Sequence, residues 1–533
     1  MSDFTEEVGV IIAGTSANEI VFVSSKENYP SLHEYVCFSS KELYEEGERE
    51  VEVLSKVSRI EMLSEVIDSS IDPSNVKRIL AYELDEAKVM GRARIIGYFL
   101  EGKKEPQVPR RTAPPGTILR KAPSSLLQKF LSYSEEEGLY IGNLAVRPEV
   151  KIRISLNGLR RHLAIIAQTG AGKTYLSGVL MEELLKKGAT LLVVDPHADY
   201  VFLGLKPDGS PSEFRERVLL FRNPLSTSRY GEKEVGLKFR DLMINLSDLS
   251  LDEIFELLRV SRQYVNIRNV IKSAMEEVTK SGKNITLRSL REKLEEICSE
   301  DEKNKDCKAA TQAIKRIQEL EAYRIFGESS FQFSELLVQG KASILDLSGM
   351  DIESQDFVVY LVLKRLLHKA QVGDLDFPVF LFVEEAHNFV PSEESSFSSR
   401  IINKIAAEGR KFGIFLTLIT QRPSKVSSNA LSQCNSQIIM RITNPRDQEA
   451  IVNSSERLGE EELQDLPGLN TGEAIVVGEV AKVPMMIKVR RRETKEGGAD
   501  IDIVSKLRAI RNEEKLKKER IKTHLSSGSF SED

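Results

Sequence analysis

The fold of this chain is decided by one short stretch, Ala167-Gln168-Thr169-Gly170-Ala171-Gly172-Lys173-Thr174. It follows an apolar, strand-like run at 163–166 and opens a helical pattern at 174–187. Glycines in such a turn let backbone N–H groups approach phosphate oxygens, and the amino terminus of the helix adds positive potential. The stretch therefore predicts a phosphate-binding loop between a strand and a helix.

The chemistry of each position in this loop predicts its ligand. The lysine supplies a point charge for the β- and γ-phosphates of ATP, and the hydroxyl of Thr174 is a ligand for Mg2+. One departure from the usual pattern is Ala167, which stands where a first glycine is common, so we expect a mild backbone adjustment there. The residues predicted to bind the nucleotide at this loop are Gly170, Ala171, Gly172, Lys173, Thr174 and Tyr175.

Outward from the loop, the chain alternates apolar runs with helical patterns. The runs are nearly continuous, as in strands that are buried on both faces of a parallel sheet. They lie at 163–166, 190–194, 218–221, 342–347, 379–383, 415–420, 437–442 and 474–477. Helical stretches separate several of them, which predicts an α/β fold with a doubly wound sheet.

The pattern also divides the chain into regions. The first region has short β-favouring runs and turn signals, which indicate a small barrel or sandwich, and a proline-bearing linker follows it. A stretch with helical spacing interrupts the α/β pattern as a bundle-like insertion, and a basic segment ends the chain as a helix, an extended arm or a solvated tail. The predicted boundaries are 1–105 (β-barrel), 106–140 (linker), 141–247 (core, first part), 248–338 (helical insertion), 339–488 (core, second part) and 489–533 (C-terminal arm).

Composition excludes several classes of protein. With 533 residues the chain is too long for one typical core. Lys and Arg number 75 against 81 Asp and Glu, so this is not a generally basic nucleic-acid coat, and any DNA contact needs a local patch. No signal peptide is recognisable and no apolar run approaches the roughly 20 residues of a membrane helix, so we expect a cytoplasmic protein without a membrane partner.

A second motif follows the apolar run at 379–383, where Glu384 and Glu385 stand at the end of the strand. Such a pair suits metal binding and hydrolysis: Glu384 orients Mg2+ through water, and Glu385 is the general base that polarises the attacking water. The alternative is a solvated strand edge. The next residue but one, His387, is more often a packing or hydrogen-bonding residue than a catalyst.

Two further candidates flank the strand at 414–420. Gln421 follows it and suits a γ-phosphate sensor, because an amide can donate to phosphate and accept from water. The alternative is a plain turn before Pro423. Arg410 precedes the strand and could act as an arginine finger on the nucleotide of a neighbouring subunit, unless it only offsets the dipole at the end of a helix.

These residues together resemble the HerA family, in the HerA/FtsK branch of P-loop ATPases. The resemblance rests on TGAGKT (169–174), VVDPHADY (193–200), FVEEAHNFVP (382–391) and EGRKFGIFLTLITQRPSKV (408–426), with HEYV (33–36) and IGNLAV (141–146) nearer the amino terminus. It implies a RecA-like ATPase core with an N-terminal barrel and a helical-bundle insertion. It also implies a homohexameric, ATP-driven translocase or helicase of double-stranded DNA that acts with the NurA nuclease in DNA end resection for recombinational repair.

The resemblance extends to individual residues. Arg161 is a second, weaker candidate for the trans-acting arginine, and Ala198-Asp199 replaces the family's usual Gly-Glu, so the role of Asp199 stays open. Loops at 196–203 and 422–433 follow strand ends and are candidates for DNA contact, with ordinary surface loops as the alternative. The alternative functions are a nucleotide-gated clamp that loads or activates a nuclease without translocating, and a conjugation or secretion coupling ATPase, whose usual membrane anchors are not recognisable here.

Overall fold

The computed structural model describes residues 6–44, 47–64, 66–67, 71–81, 87–100, 106–282, 284–300, 305–327, 330–393, 396–455, 457–498 and 503–527. They form a closed six-stranded barrel followed by an α/β body that is built on a 12-stranded sheet. The strands are β1 (Glu7–Ile11), β2 (Glu19–Ser25), β3 (Tyr35–Tyr44), β4 (Gly47–Leu63), β5 (Lys88–Gly97), β6 (Ile118–Lys121), β7 (Gly138–Leu144), β8 (Arg147–Ser155), β9 (Leu163–Ile166), β10 (Thr190–Asp195), β11 (Val218–Arg222), β12 (Phe239–Asp241), β13 (Ala342–Asp346), β14 (Val379–Val383), β15 (Ile414–Thr420), β16 (Ser436–Ile439), β17 (Glu473–Gly478) and β18 (Met485–Val489).

The helices lie, for the most part, along the chain between strands of this sheet. They are α1 (Pro73–Ala81), α2 (Ser124–Leu131), α3 (Lys173–Lys186), α4 (Glu232–Val235), α5 (Leu251–Leu257), α6 (Val265–Lys280), α7 (Leu287–Glu300), α8 (Lys305–Glu321), α9 (Phe333–Leu336), α10 (Ile352–Val372), α11 (Ala386–Phe389), α12 (Phe397–Glu408), α13 (Ser428–Ser432), α14 (Pro445–Ser454), α15 (Glu460–Asp465) and α16 (Ile503–Ser527). None of the helices within the described ranges is long and apolar enough to cross a membrane.

The N-terminal barrel closes in the order β1-β2-β5-β4-β3-β6. Closure depends on β6, which pairs with β1 on one side and β3 on the other. Apolar side chains fill the interior, and Phe22 is fully buried there. Gly91 makes room for this ring, because a Cβ at that position would overlap the aromatic carbons of Phe22.

The barrel shows that two predicted boundaries are wrong. We expected it to end at residue 105, but β6 lies beyond that limit, inside the stretch predicted as a linker. The same stretch also holds α2 and the beginning of β7. Tyr98 and Gln107 form a further bridge across the predicted boundary. The long strand β4 was not predicted either, because its alternating charged residues weaken the apolar signal.

The sheet of the α/β body has the order β12-β11-β13-β10-β14-β15-β9-β16-β17-β18-β7-β8. Its strands from β12 to β16 run parallel, whereas β17, β18, β7 and β8 extend it as antiparallel strands. Two apolar cores cover its two faces, one containing α3 and the other α10 and the helical insertion. The predicted α/β fold with a barrel and a helical insertion is confirmed.

The helical insertion consists of α5, α6, α7 and α8, close to the positions that the helical spacing indicated. Its apolar faces join the core on the α10 side of the sheet, so it is packed against the α/β body rather than separate from it. The end of the chain has two parts. Residues 490–498 lie on the body, with Arg490, Arg492 and Thr494 buried, and α16 follows with exposed side chains over 503–518.

Candidate nucleotide-binding site

The phosphate-binding loop lies at the carboxyl edge of the sheet, between β9 and α3. Gly170 and Gly172 have φ values of 78° and 107°, in the left-handed region that favours glycine. Ala167 is buried and has no positive φ, and its N–H donates to the carbonyl of Thr420 at 3.2 Å. The residue at this position therefore continues the strand ladder, which explains why alanine is tolerated where a glycine is common.

Lys173 connects the loop to the acidic pair that ends β14. Its Nζ lies 2.9 Å from Oε1 of Glu384 and 2.9 Å from Oε1 of Glu385. Burial by itself lowers the pKa of Lys173, but the two carboxylates outweigh that effect and raise it above its usual value. The lysine is therefore a permanent cation between two acids, as a phosphate-binding site requires.

Glu384 is the more buried acid, with about 1% of its side chain exposed. Its Oε2 accepts a hydrogen bond of 2.9 Å from the hydroxyl of Tyr200. Burial raises the pKa of Glu384, and the charge of Lys173 opposes that shift. Tyr200 was not predicted as a site residue, because it reaches Glu384 from another strand end.

Glu385 has an unusual backbone, with φ and ψ both 48°. Only a few per cent of non-glycine residues adopt this left-handed conformation, which often marks a constrained functional position. Its Oε1 also accepts a hydrogen bond of 3.4 Å from the amide of Gln421, whose own oxygen accepts from the hydroxyl of Thr169. The predicted base and the predicted sensor therefore lie side by side above the loop.

Asp199 joins the site through Thr174, whose hydroxyl donates to Oδ2 of Asp199 at 3.4 Å. Burial raises the pKa of Asp199. Asp195 is fully buried and accepts N–H bonds from Asp199 and Tyr200, at 2.9 Å each. Asp195 thus shapes the turn that carries Asp199 and Tyr200 to the site, and the oxygen of Asp199 adds a candidate ligand that sequence reasoning had left open.

Tyr175 was predicted to bind the nucleotide, and the structure places its hydroxyl on the C-terminal segment. There it accepts the N–H of Arg492 at 2.6 Å. The guanidinium of Arg492 donates to the carbonyl of Thr174 at 3.4 Å and packs on Gly178 of α3. The region predicted as a C-terminal arm therefore begins with residues that support α3, the helix behind the phosphate-binding loop. The contacts of Arg492 with Thr174 and Tyr175 join residues more than 300 positions apart.

Arg410 and Arg161 lie at the opposite, amino edge of the sheet. Arg410 is in a short 3-10 helix (Gly409–Phe412) just before β15, and Arg161 just precedes β9. Both side chains are exposed. Since β15 has seven residues, roughly 20 Å of strand separates Arg410 from Gln421. The structure does not bring either arginine to the loop of its own chain.

The two loops predicted to contact DNA differ in the structure. The prediction for 196–203 is wrong, because most of that loop is buried, including Val201 and Phe202. The segment 422–433 instead presents exposed polar side chains at the carboxyl edge. These are Arg422, Ser424, Lys425, Ser428, Asn429, Ser432 and Gln433.

Comparison with known families and proteins adds to this geometry. Residues 139–366 match the family model described as "Helicase HerA, central domain". The chain carries a HerA central domain. The matched region spans the phosphate-binding loop and Asp199, and the resemblance to the HerA family is confirmed.

Relatives match the HerA domain and the regions that flank it. A protein of Methanocaldococcus jannaschii named a probable helicase is 27% identical, covering 100% of this chain and 99% of its own length. The DNA double-strand break repair helicase HerA of Pyrococcus furiosus is 27% identical over 94% of this chain and 96% of its own. Among solved structures, the plasmid coupling protein TrwB in complex with an ATP analogue is 14% identical, with a TM-score of 0.49, over 71% of this chain and 94% of TrwB.

Proposed function

We propose that this chain is an ATP-driven motor that moves on double-stranded DNA. The observation that carries the proposal is the position of Lys173 between Glu384 and Glu385 at the carboxyl edge of the sheet. This is the edge where α/β sheets bind ligands, and the three charges are arranged around the loop as phosphate transfer requires. The relatives that are named helicases support the same activity.

In the proposed reaction each residue has a separate task. Backbone N–H groups of Gly170–Thr174 and the ammonium of Lys173 bind the phosphates of ATP. The carboxylate of Glu385 accepts a proton from the attacking water, and the amide of Gln421 positions that water. A phosphate competes with both acids for Lys173, so nucleotide binding changes the charge around the base.

The site also fits Mg2+. The hydroxyl of Thr174 and the carboxylate of Glu384 are hard oxygen donors, and Asp199 lies within hydrogen-bond distance of Thr174. Among the described residues no cluster of three or more His, Cys, Asp or Glu forms a metal site, so the remaining ligands would come from phosphate and water. When bound, the ion neutralises charge on the phosphate oxygens.

The positions of Arg410 and Arg161 support the proposed quaternary arrangement. Both lie on the edge opposite their own loop, so either can serve a nucleotide only on an adjacent subunit. We infer a homohexameric ring in which one edge of each subunit faces the loop edge of the next. The segment 422–433 then contacts DNA, and the N-terminal barrel engages the NurA nuclease for end resection in recombinational repair.

Hydrolysis of ATP with and without duplex DNA tests the motor. Lys173→Ala and Glu385→Gln are each expected to lower the turnover number by about a hundredfold or more. Lys280→Ala and Glu135→Gln, which change exposed residues away from the site, serve as matched controls. Turnover that stays at the wild-type level in both site variants contradicts the proposal.

Displacement of a third strand from a DNA triplex separates a motor from a clamp. A translocase displaces the strand while it hydrolyses ATP, whereas a nucleotide-gated clamp hydrolyses ATP and displaces nothing. Sedimentation with an ATP analogue measures the number of subunits in the ring. A resection assay with and without NurA tests the proposed partner, because the nuclease should degrade DNA ends faster when this chain and ATP are present.

A further inference from the structure

His387 is the residue at the site to which neither the motif nor the proposed reaction assigns a task. It stands two positions after Glu385, in the short helix α11, and about 13% of its side chain is exposed. Its Nδ1 lies 3.3 Å from Oε2 of Glu385. The other carboxylate oxygen of Glu385 faces Lys173 and Gln421, so His387 is the contact on the remaining side of the base.

The same nitrogen links the base to the end of β15. Nδ1 of His387 lies 3.2 Å from Oγ1 of Thr420, and that hydroxyl oxygen accepts the N–H of Arg422 at 3.0 Å. Nδ1 of His387 is therefore hydrogen-bonded to Thr420 and in contact with the carboxylate, whose Oε2 is buried and has no hydrogen-bond partner among the described residues. One side chain thus connects Glu385 to the first residue of the exposed segment 422–433.

A second contact ties the same two regions together. The N–H of Ser427 donates to the carbonyl of Val390 at 2.8 Å, and the N–H of Ser392 donates to the carbonyl of Lys425 at 3.0 Å. These bonds flank an antiparallel bridge between Pro391 and Val426. The segment 422–433 is therefore bonded to the residues that follow α11, and through Thr420 it is linked to His387 inside that helix.

Electrostatics agree with this arrangement. Burial lowers the pKa of His387, the negative charge of Glu385 opposes that shift, and the positive charges of Lys173, Arg422 and Lys425 add to it. The lowered pKa favours the neutral ring, which has one N–H to donate. A neutral ring beside Oε2 of Glu385 can orient the carboxylate but cannot neutralise its charge.

We propose that His387 is a positioning residue that transmits the position of the segment 422–433 to Glu385. The inference rests on the proposed function, since it takes this segment to be the one that contacts DNA. Binding of DNA phosphates at Arg422 and Lys425 fixes the segment and, through the N–H of Arg422, the hydroxyl of Thr420. His387, which is hydrogen-bonded to that hydroxyl, then holds Oε2 of Glu385 in place for the attacking water. Stimulation of ATP hydrolysis by DNA depends on this side chain.

The experiment compares ATP turnover with and without duplex DNA in His387→Ala, His387→Asn and Thr420→Val. In His387→Ala we expect DNA-stimulated turnover to fall about ten- to a hundredfold, because a small displacement of a catalytic group has effects of this size. The KM for ATP should stay unchanged, because the phosphate-binding loop is intact. Asparagine places an N–H near the position of Nδ1, so His387→Asn should recover much of the stimulation.

The remaining variants distinguish transmission from a general loss of structure. Thr420→Val keeps the volume but removes the hydroxyl, so it should lower DNA stimulation without lowering the unstimulated rate. His368→Ala, at an exposed histidine of α10, is the matched control and should behave as wild type. Circular dichroism of each variant verifies that it is folded.

The outcomes also separate this inference from the proposed function. If Lys173→Ala is inactive but His387→Ala and Thr420→Val keep full DNA stimulation, the proposed motor function is supported and the proposed role of His387 is wrong. Equal losses of stimulated and unstimulated rates in both variants also overturn it, since they show a role unrelated to DNA. A selective loss of stimulation that asparagine restores supports it.

Discussion

Nζ of Lys173 lies 2.9 Å from Oε1 of Glu385, so the lysine of the phosphate-binding loop touches the proposed general base directly. Glu384 is equally close on the other side of the ammonium. All three side chains are largely buried, and one positive charge compensates two carboxylates. Electrostatic balance at the site therefore depends on Lys173.

The first prediction follows from this balance. Lys173→Met leaves two buried carboxylates without their cation, and breaking a buried ion pair from one side costs about 3–5 kcal/mol. We expect the free energy of unfolding, measured by denaturation in urea, to fall by an amount of this order. Adding Glu385→Gln removes one of the uncompensated charges, so the double variant should be more stable than Lys173→Met alone. A double variant that is less stable than Lys173→Met contradicts this account.

The second prediction concerns pH and His162. This residue is buried, its Nδ1 accepts the N–H of Leu416 at 2.9 Å, and its φ is 60°. Burial, helped by the charge of Arg410, lowers the pKa of His162 from 6.5 to about 4. Between these two pH values the unfolded chain binds a proton at His162 that the folded chain does not bind. The contribution of His162 to the free energy of unfolding is therefore fully present above pH 6.5 and is lost as the pH falls towards 4. The loss amounts to about 3 kcal/mol at most.

His162→Asn tests this dependence with a residue that suits the position. Asparagine tolerates a positive φ, and its side-chain oxygen can accept the N–H of Leu416. Unfolding in urea is measured at several pH values from 4.5 to 7.5 for both proteins. The difference in stability between wild type and variant should shrink as the pH falls, and a difference that is constant over this range contradicts the prediction.

The central part of this site could be predicted from the sequence, because its residues follow strand ends. In a parallel sheet these ends meet at one edge, so Lys173, Glu384 and Gln421 come together whatever the loops do. Each of them is also preceded by an apolar run that is easy to recognise. The same argument places Arg410 at the other edge, since it precedes its strand.

The remaining contacts depend on distant parts of the chain and left no local signal. Nothing in the sequence around Tyr200 indicates a functional role, and its hydrogen bond to Glu384 depends on the fold. Barrel closure by β6 requires pairing with β1, more than 100 positions earlier, across a stretch whose prolines suggest a linker. Residues 490–498 read as a basic tail, although Arg490 and Arg492 are buried against α3.

The third prediction concerns that C-terminal segment and Glu182 of α3. The carboxylate of Glu182 is fully buried and pairs with Arg490 at 2.9 Å. It also accepts the N–H groups of Glu493 and Thr494, at 2.9 and 2.7 Å. Glu182→Ala leaves the N–H groups of Glu493 and Thr494 without their acceptor, whereas Arg490 keeps its hydrogen bond to Glu183, and we expect a loss of about 2–3 kcal/mol of stability.

Limited proteolysis provides the second measurement for this variant. If Glu182 holds the segment on α3, Glu182→Ala should be cleaved within 490–498 faster than wild type. Glu135→Ala is the matched control, because about 91% of that side chain is exposed and its ion pair with Arg153 is long, at 3.8 Å. Equal cleavage rates in Glu182→Ala and Glu135→Ala contradict a supporting role for the segment.

The last prediction tests whether catalysis needs an arginine from the neighbouring subunit. Arg410→Ala is expected to lower ATP turnover by about a thousandfold or more, as for other arginine fingers, although its own loop is intact. Mixed rings of Arg410→Ala and Lys173→Ala subunits should regain activity, because some interfaces combine an intact loop from the first with an intact arginine from the second. In a control mixture of Lys173→Ala and Glu385→Gln, every loop edge still lacks one group, so no recovery is expected. If the first mixture stays as inactive as its parents while subunit exchange is verified, Arg410 does not act across the interface. The same experiment is then repeated with Arg161→Ala in place of Arg410→Ala.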